Sequence, residues 1–319
     1  MLTFFSTAKP FRGHSGIIQR NALQSWKLLH ADVEVILFGN DDGAAEVCTE
    51  LGLRHEPEMP RTRLGAPRAN SIFARAQEIA RHDVFCYSNC DIVLTKDFCR
   101  ALERILPWQD AFLMVGCRWD TDITEPIDFS DPGWETRIVS VARTEGFRRF
   151  YYNIDYFAFK GSLYRNMPEL AVGRAWWDHW MIGRALKQGA PVVDATEVVC
   201  AVHQNHDYSN HPQGLLGTWT DEDAQRNGQI AGRDIQRTIE DSTYRLTETE
   251  IHPNRFHWLA PAKRRIRAIR KAVRDAVRTR LWHPFLDLTR AWRHSLGLRE
   301  DKLAPLRRKK ADRRHWQDR

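Results

Sequence analysis

The pattern of apolar and polar positions changes its period several times along the chain. Continuous apolar runs of strand length, bounded by turn residues, predict buried strands. These runs are Leu2–Thr7, Val33–Phe38, Leu53–His55, Val84–Tyr87, Ala111–Gly116, Tyr156–Phe159, Val192–Val193 and Val198–Val202. Helical spacing predicts helices at Ser15–Leu29, Ala44–Leu51, Ala69–Arg81 and Trp177–Lys187. The alternation predicts an α/β protein with a mostly parallel central sheet flanked by helices.

Two helix ends and two long segments refine this prediction. Ser15 is expected to be the N-cap of the first helix, and Gly52 the C-cap of the second. Another helix is expected to begin near Thr95. The segment Arg118–Arg149 has weak periodicity and is rich in Asp, Glu, Pro and Gly, so we expect a long insertion near the site. The polar segment Pro212–Asn254 is expected to contain short helices.

The chain changes character near Pro261. From there, apolar residues recur at helical spacing, with Lys and Arg filling the other faces; these residues are Ile266, Ile269, Val273, Val277 and Leu281. The pattern is typical of a basic amphipathic helix, which favours a membrane surface. We therefore expect a globular domain over residues 1–255 and a basic helical tail over residues 256–319. The last stretch, from Leu306, is expected to be disordered.

Charge separates the same two parts of the chain. The net charge is +7, but residues 261–319 contain 20 Lys and Arg against 6 Asp and Glu. The preceding residues contain 28 basic against 35 acidic side chains. An acidic body with a strongly basic tail indicates attraction to a polyanion, either nucleic acid or an anionic membrane surface.

The N-terminus and the cysteines indicate in which cellular compartment the protein is expected. Met1–Ser6 has no basic start and no long apolar region, so we expect a first strand there and not a signal peptide. The sequence contains no run of about 18 apolar residues, so we expect no transmembrane helix. The six cysteines form no Cys-x-x-Cys pair and resemble buried free thiols, which fits a reducing cytosol. A zinc site built from Cys86, Cys90 and Cys99 is the alternative.

The first candidate for chemistry lies where the strand Val84–Tyr87 ends. In open α/β sheets, ligands bind outside the carboxyl ends of the strands. Asn89 and Asp91 are two residues apart, so on extended backbone their side chains point the same way. Hard cations such as Mg²⁺ and Mn²⁺ prefer oxygen ligands. The pair is therefore a candidate metal or nucleotide site; the alternative is an ordinary strand-end Asp that caps a turn.

Two further polar clusters follow predicted elements. His203 comes directly after the predicted strand Val198–Val202, where it could share an ion with Asp91, and His206 lies three residues further on. Asp178 begins a predicted helix among three Trp, where a partly desolvated carboxylate would have a raised pKa suited to a general base. Stabilisation of the helix dipole is the alternative role. Additional candidate site residues are Asp41, Asp155, Arg174 and Trp177.

In their order along the chain, these features resemble the GT-A-fold, nucleotide-sugar-dependent glycosyltransferases of the family 2 type. Phe4–Thr7 is similar to the strand that starts the nucleotide pocket. Asn89-Cys90-Asp91 looks like the family's Asp-x-Asp metal motif, with Asn in the first position. Asp178 resembles the catalytic acidic residue, and His203 the late histidine that completes metal coordination. The resemblance covers roughly residues 1–230 and leaves the tail outside.

The resemblance implies an enzyme that moves a sugar from a nucleotide-sugar donor to a hydroxyl acceptor, with inversion and with Asp178 as base. It implies Mn²⁺ or Mg²⁺ bound by Asp91 and His203. The implied nucleotide and donor contacts are Phe4, Ser6, Thr7, Arg20, Asp41, Asn89 and Asp91. The implied contacts to acceptor or sugar are Asp155, Arg174, Trp177 and His206.

The basic tail adds an expected location and a class of acceptor. We expect a cytoplasmic enzyme, peripheral on the inner face of an anionic membrane, acting on a carbohydrate or glycolipid acceptor such as a lipid-linked or surface-polysaccharide precursor. No specific nucleic acid is expected. The alternatives are a sugar-phosphate nucleotidyltransferase, a nucleic-acid-binding protein that uses the tail, or a non-catalytic relative, because Asn89 replaces an Asp. A retaining mechanism becomes the better hypothesis if Asp178 is dispensable.

The sequence also argues against two other enzyme classes. It contains no Gly-x-x-x-x-Gly-Lys phosphate loop and no Gly-x-Gly-x-x-Gly turn after a strand. Both motifs cradle phosphates through glycine-rich backbone at the start of a helix. Their absence argues against a P-loop nucleotide hydrolase and against a dinucleotide-dependent oxidoreductase.

Overall fold

The computed structural model describes residues 1–207 and 212–277 of the chain. The chain divides into two units, Met1–Ala260 and Pro261–Arg319, which are described separately. The predictions made for Leu281 and for the stretch from Leu306 lie outside the described residues.

Strands and helices alternate through the first unit, and the last helix lies almost entirely in the second. The strands are β1 (Leu2–Thr7), β2 (Val33–Phe38), β3 (Arg54–Glu56), β4 (Val84–Ser88), β5 (Ile92–Val93), β6 (Leu113–Val115), β7 (Arg118–Thr121), β8 (Phe147–Arg148), β9 (Tyr156–Lys160), β10 (Val192–Asp194), β11 (Ala201–Gln204), β12 (Tyr244–Leu246) and β13 (Ile251–Pro253). The α-helices are α1 (Gly13–Lys27), α2 (Ala44–Leu51), α3 (Ala69–Ile79), α4 (Lys96–Ile105), α5 (Trp134–Thr144), α6 (Trp177–Lys187), α7 (Gly214–Thr220), α8 (Glu222–Ala231) and α9 (Ala260–Val277). Short 3-10 helices lie at Gly232–Gln236, Ile239–Asp241 and His257–Leu259.

Within the described ranges, nine strands form one sheet in the order β13-β12-β10-β6-β9-β4-β1-β2-β3. Most neighbours are parallel, whereas β9 runs antiparallel between β4 and β6, and β13 is antiparallel to β12 at the edge. The predicted mostly parallel sheet is confirmed, and with its flanking helices it forms the GT-A-like α/β fold that the resemblance implies. The parallel pairing places the carboxyl ends of β1, β2 and β4 at one edge.

Helices cover both faces of this sheet, because consecutive residues of a strand point to opposite sides. On one side, Phe4 of β1 stacks on Trp26 of α1 with ring centroids 5.2 Å apart. On the other, Phe5 meets Phe73 of α3 edge to face at 4.8 Å. Each side has its own core of buried apolar residues. Burial on both faces explains why the strands are continuous apolar runs in the sequence.

The segment Arg118–Arg149 differs from the long irregular insertion expected from its sequence. It contains β7, α5 and β8, and β7 and β8 join a second sheet of order β5-β11-β7-β8 among the described residues. Helix α5 packs on this sheet through Trp134, Ile138 and Ala142, which follow one another at intervals of four residues. The strand β7 was missed because two of its four residues, Arg118 and Asp120, are charged yet buried in ion pairs.

Several predicted boundaries also shift. Helix α1 begins at Gly13, before Ser15, since the Gly16 N–H already donates to the Arg12 carbonyl oxygen at 3.1 Å; no side chain caps this helix. Gly52 does end α2, in the left-handed conformation with φ of 62°. Strand β11 begins later than predicted, because residues 198 and 199 both donate to the Ala195 carbonyl oxygen in a turn. His203 therefore lies inside β11 and not after it.

The remaining expectations concern the C-terminal part and the cysteines. Besides α7 and α8, the segment expected to hold short helices contributes β12 and β13 to the large sheet. In the described part of the chain, no helix combines the length and apolarity needed to span a bilayer. All six cysteines are buried free thiols, as predicted. Cys86, Cys90 and Cys99 form no candidate metal cluster among the described residues, so the zinc alternative is not supported.

Candidate functional site

The candidate site lies at the carboxyl end of β4, where the chain turns from the large sheet into the small one. Residues 89–91 connect β4 to β5, and β5 pairs antiparallel with β11, so that His203 lies opposite Ile92. The Gln204 N–H donates to the Asp91 carbonyl oxygen at 3.2 Å. This pairing brings two distant segments of the sequence together and places Asp91 beside the end of β11.

Asp91, His203 and His206 form a cluster of potential metal ligands. The Nε2 atom of His206 lies 3.1 Å from Asp91 Oδ2, and Nε2 of His203 lies 3.8 Å from the same oxygen. One ligand atom from each residue falls within 4.8 Å of the others. The Asp91 Oδ1 atom is buried and has no hydrogen-bond partner among the described residues. A buried, unpaired carboxylate oxygen is costly unless it binds something, so the cluster fits a cation.

Electrostatics keep Asp91 ionised. Burial of Asp91 acts to raise its pKa, but the nearby His203, the hydrogen bond with His206 and the charge of Lys9 outweigh burial and hold the pKa well below its ordinary value. A carboxylate must be deprotonated to bind a metal ion. The two imidazoles in this donor set suit a transition ion better than Mg²⁺, which prefers oxygen ligands.

Asn89 occupies the first position of the Asp-x-Asp-like motif, but it does not enter the metal cluster. Its Nδ2 donates to Asp155 Oδ1 at 2.7 Å, and its backbone N–H donates to the Asp155 carbonyl oxygen at 2.9 Å. An Asp at position 89 would set two carboxylates against each other at this distance. The amide is therefore suited to the neighbouring Asp155, to which an ionised carboxylate at position 89 could not donate.

A chain of buried ion pairs connects Asp155 to the metal cluster. The guanidinium of Arg118 donates to Asp155 Oδ1 and to Asp120 Oδ1, both at 2.8 Å. Arg149 donates to the other oxygen of Asp120. His203 Nδ1 lies 3.2 Å from Asp120 Oδ1. Asp155 Oδ2 is buried and has no hydrogen-bond partner among the described residues.

Asp178 is the second residue of α6 and is partly exposed, with its side chain 20% accessible. Burial raises its pKa, the neighbouring His179 partly offsets this effect, and the charge of Asp155 raises the pKa further. Trp176, just before α6, has a φ of 81°, a left-handed conformation that is strained for a residue with a side chain. Such strain often marks functional sites.

The structure does not bring four of the predicted contacts to this site. Phe4 is fully buried in the core against Trp26, so its side chain cannot touch a nucleotide without unfolding the sheet. Arg20 forms an ion pair with Glu50 between α1 and α2. Trp177 packs in the opposite core, 5.0 Å from the Tyr87 ring. Arg174 is the fourth, and its guanidinium donates to Asp221 Oδ2 at 2.5 Å, at the N-cap of α8.

Other predicted contacts have structural partners or remain open to solvent. The Ser6 hydroxyl is buried and donates to the Ser88 carbonyl oxygen at 2.5 Å, so it ties β1 to β4 and does not face a ligand. Thr7 is half-buried at the end of β1. Asp41 follows β2 and pairs with Arg61, which places both at the same edge of the sheet. His206, predicted as a sugar contact, lies against Asp91 in the metal cluster.

Arg118, Asp120 and Trp219 were not predicted as site residues, whereas Trp176 is one of the three tryptophans noted around Asp178. The first two stand at alternate positions on β7, and their residue types gave no signal in the sequence that they are buried. Trp176 meets Trp219 of α7 edge to face at 5.4 Å, and Trp219 is 48% exposed. The accessible aromatic surface beside Asp178 therefore comes from this pair and not from Trp177.

No family model and no curated protein matches this sequence. Residues 1–349 of S. aureus TarS, solved in complex with UDP-GlcNAc, are 9% identical over 75% of this chain and 69% of that one, with a TM-score of 0.48. Glucosyl-3-phosphoglycerate synthase from Mycobacterium tuberculosis, solved with Mg²⁺ and UDP, is 11% identical over 68% of this chain and 77% of that one, with a TM-score of 0.39. At these identities the likeness concerns the fold alone.

Proposed function

We propose that this protein is a metal-dependent glycosyltransferase that takes a sugar from a nucleotide-sugar donor. The observation that carries the proposal is the cluster of Asp91, His203 and His206 at the carboxyl edge of the sheet, with the Asp91 Oδ1 atom buried and unpaired among the described residues. This edge is where open α/β sheets bind their ligands. The three residues would hold Mn²⁺, which supplies neutralisation of charge on the leaving diphosphate.

The charges around the cluster suit a diphosphate. Lys9, which follows β1, is near enough to Asp91 to contribute to lowering its pKa. Its backbone is fixed by two hydrogen bonds with Gln19, at 2.6 and 2.9 Å. A cation held next to an anionic metal ligand is positioned to contact phosphate oxygens as a point charge. Thr7 and Asp41, at the ends of β1 and β2, remain the proposed contacts for the nucleoside.

Asp178 is proposed as the general base. Its raised pKa brings it closer to the pH at which it must accept a proton, and Asp155 lies near enough to raise that pKa further. The carboxylate of Asp178 takes the proton of the acceptor hydroxyl, while the acceptor oxygen bonds to the anomeric carbon. The bond from that carbon to the diphosphate breaks with the electron pair leaving on the diphosphate, and the configuration inverts. Asp155 Oδ2 would accept a hydroxyl of the donor sugar.

The acceptor is proposed to be a carbohydrate or glycolipid that lies against Trp176 and Trp219. Aromatic faces of this kind offer flat apolar surface to sugar rings, with an indole N–H for a hydroxyl. The two rings connect to the proposed base through His179, which lies 5.5 Å from Trp176 and whose Nε2 is 3.9 Å from Asp178 Oδ2. Because Trp177 is buried, it is not part of this surface.

The donor reaction tests this proposal directly. Purified protein is incubated with a panel of nucleotide sugars with and without Mn²⁺, and release of nucleoside diphosphate is measured, with water taking the place of the acceptor hydroxyl. We expect release from one class of donor only with metal, and loss of release in Asp91→Asn. The matched control is Asp110→Asn, since the Asp110 side chain is fully exposed, away from the cluster. Metal-independent release, or full release by Asp91→Asn, would refute the metal-dependent mechanism.

The assignment of the base needs a separate variant. Asp178→Asn keeps the size of the side chain but cannot accept a proton, so it should abolish transfer while donor binding is retained. Donor affinity, measured by calorimetry in the presence of Mn²⁺, distinguishes loss of chemistry from loss of binding. Undiminished transfer by Asp178→Asn would exclude Asp178 as base and would favour a retaining mechanism.

We also propose that α9 docks on an anionic lipid surface. Ile266, Ile269 and Val273 are spaced by three or four residues and are each at least half exposed. Lys263, Arg264, Arg265, Arg267 and Arg270 lie between and before them. Exposed apolar residues at helical spacing among basic side chains suit the interface of an anionic leaflet, where each Lys or Arg contributes about 1 kcal/mol.

Vesicle binding of the full chain tests this docking. The double variant Ile266→Asp with Ile269→Asp should lose binding to anionic phospholipid vesicles in a sedimentation assay. Leu64→Asp, at a 43% exposed position of the first unit, serves as the control for an added surface charge. Removal of the chain after Leu259 should abolish binding altogether. Binding that survives the truncation, or that does not distinguish anionic from neutral vesicles, would contradict the proposal.

A further inference from the structure

Asp120 lies directly behind His203 in the candidate metal cluster. The two residues are paired in register on the neighbouring parallel strands β7 and β11. Asp120 Oδ1 is 3.2 Å from His203 Nδ1, a close contact that falls outside hydrogen-bond geometry, and this buried nitrogen has no hydrogen-bond partner among the described residues. The opposite nitrogen of the ring, Nε2, faces Asp91 Oδ2 at 3.8 Å. The imidazole is thus held between two carboxylates, one on each side.

Asp120 is itself fixed by two cations. Arg118 donates to Oδ1 at 2.8 Å, and Arg149 donates to Oδ2. The side chains of Asp120 and Arg118 are only 7% and 10% exposed, so solvent screens the pair little. The carboxylate is therefore charged and immobile behind the ring.

We propose that Asp120 is a positioning residue that orients His203 and keeps its proton on Nδ1, so that Nε2 is free to bind the cation. Histidines that ligate metals commonly donate their other N–H to a carboxylate, which fixes the ring and raises the basicity of the ligand. The inference rests on the proposed metal site of Asp91, His203 and His206. It adds Asp120, and through it Arg118 and Arg149, as the support of that site.

The substitution Asp120→Asn would change one carboxylate oxygen of Asp120 into an NH₂ group. In Asp120→Asn, the single remaining oxygen can accept a hydrogen bond from only one of the two arginines, because Arg118 and Arg149 donate to different carboxylate oxygens. With its NH₂ group in the place of Oδ2, the Asn would oppose Arg149 and present His203 with a neutral oxygen in place of a charged one. With its NH₂ group in the place of Oδ1, it would oppose Arg118 and require His203 Nδ1 to accept a hydrogen bond. The proton would then sit on Nε2, which is the atom that must bind the metal.

Mn²⁺ binding to the full chain, measured by electron paramagnetic resonance of the free ion, tests the inference without any turnover. Asp120→Asn should bind Mn²⁺ about 10–100-fold more weakly than the wild type. Asp122→Asn is the matched control, since Asp122 lies two residues further on and its Oδ1 accepts from Asn205 Nδ2 at 2.7 Å, a bond that Asn retains. This control removes the same charge nearby and should change the affinity only about twofold, because the exposed charge is screened.

A double-mutant cycle with His203→Ala shows whether Asp120 acts through the imidazole. Without the ring, Asp120→Asn should weaken Mn²⁺ binding no further. Asp120→Glu, which keeps the charge for both arginines but displaces the carboxylate, should fold normally and still bind Mn²⁺ more weakly. Equal affinity of Asp120→Asn and wild type, or full additivity in the cycle, would overturn this inference alone. Failure of the wild type to bind Mn²⁺ would overturn the metal site as well.

Discussion

Replacement of Arg118 by Met would remove the cation shared by two buried carboxylates. Arg118 is bonded to Asp120 and Asp155 at 2.8 Å each, and all three side chains are at most 10% exposed. Removing one partner of a buried ion pair costs about 3–5 kcal/mol, because the other charge stays buried without compensation. Asp120 would keep Arg149, whereas among the described residues the Asp155 carboxylate would keep only the Asn89 amide. We therefore expect a loss of about 3 kcal/mol, at the lower end of that range.

Urea denaturation followed by tryptophan fluorescence measures this loss as a change in midpoint at constant slope. Arg20→Met is the matched control, because Arg20 pairs with Glu50 at the surface, where both side chains are more than a third exposed. Such an exposed pair contributes about 0–1 kcal/mol. If Arg118→Met destabilised the protein no more than Arg20→Met does, the buried network would not carry the energy that its geometry indicates.

Three further predictions concern single residues. Burial raises the pKa of Asp178 above 3.8 in the folded state, so ionisation of Asp178 destabilises the folded protein as the pH rises through this raised pKa. Asp178→Asn should therefore be more stable than wild type in urea at neutral pH. Below about pH 3, where Asp178 is protonated in both the folded and the unfolded state, the two should not differ. Phe4→Ala should cost about 3–5 kcal/mol in the same assay, yet leave the affinity of the folded protein for nucleoside diphosphate unchanged in calorimetry, since Phe4 is core. Trp176→Gly should be more stable than Trp176→Ala by about 1 kcal/mol in thermal unfolding, because φ there is 81°; equal stability would argue against that backbone conformation.

Apolar periodicity predicted most of the central sheet, but not its edge strands β12 and β13. Strands β1 and β2 and helices α2 and α6 lie where their apolar runs and caps indicated, because burial on both faces leaves an unbroken apolar pattern. The second sheet could not be predicted in this way. Its strand β7 buries Arg118 and Asp120 as an ion pair, and no hydropathy pattern distinguishes a buried charged pair from two solvated side chains.

The site was predictable in its centre but not in its surroundings. Asp91 and His203 follow or end strands, and the pairing of β5 with β11 does bring them together. Phe4 and Trp177 were expected at the ligand from the family resemblance, and both are buried because the faces of β1 and α6 on which they lie are packed in the core. The contact of Asn89 with Asp155 depends on strand β9, whose pairing with β4 no local motif reveals.

The central claim is that Asp91, His203 and His206 bind a metal ion, which in turn binds a diphosphate. The most direct test is the thermal unfolding of the purified protein with a panel of nucleoside diphosphates, each with and without Mn²⁺, since a ligand that binds only the folded state raises the unfolding temperature. We predict that one diphosphate stabilises the protein only when Mn²⁺ is present, and that Asp91→Ala loses this stabilisation while Asp110→Ala keeps it. A shift of the same size without metal, or in Asp91→Ala, or no shift with any diphosphate, would contradict the account.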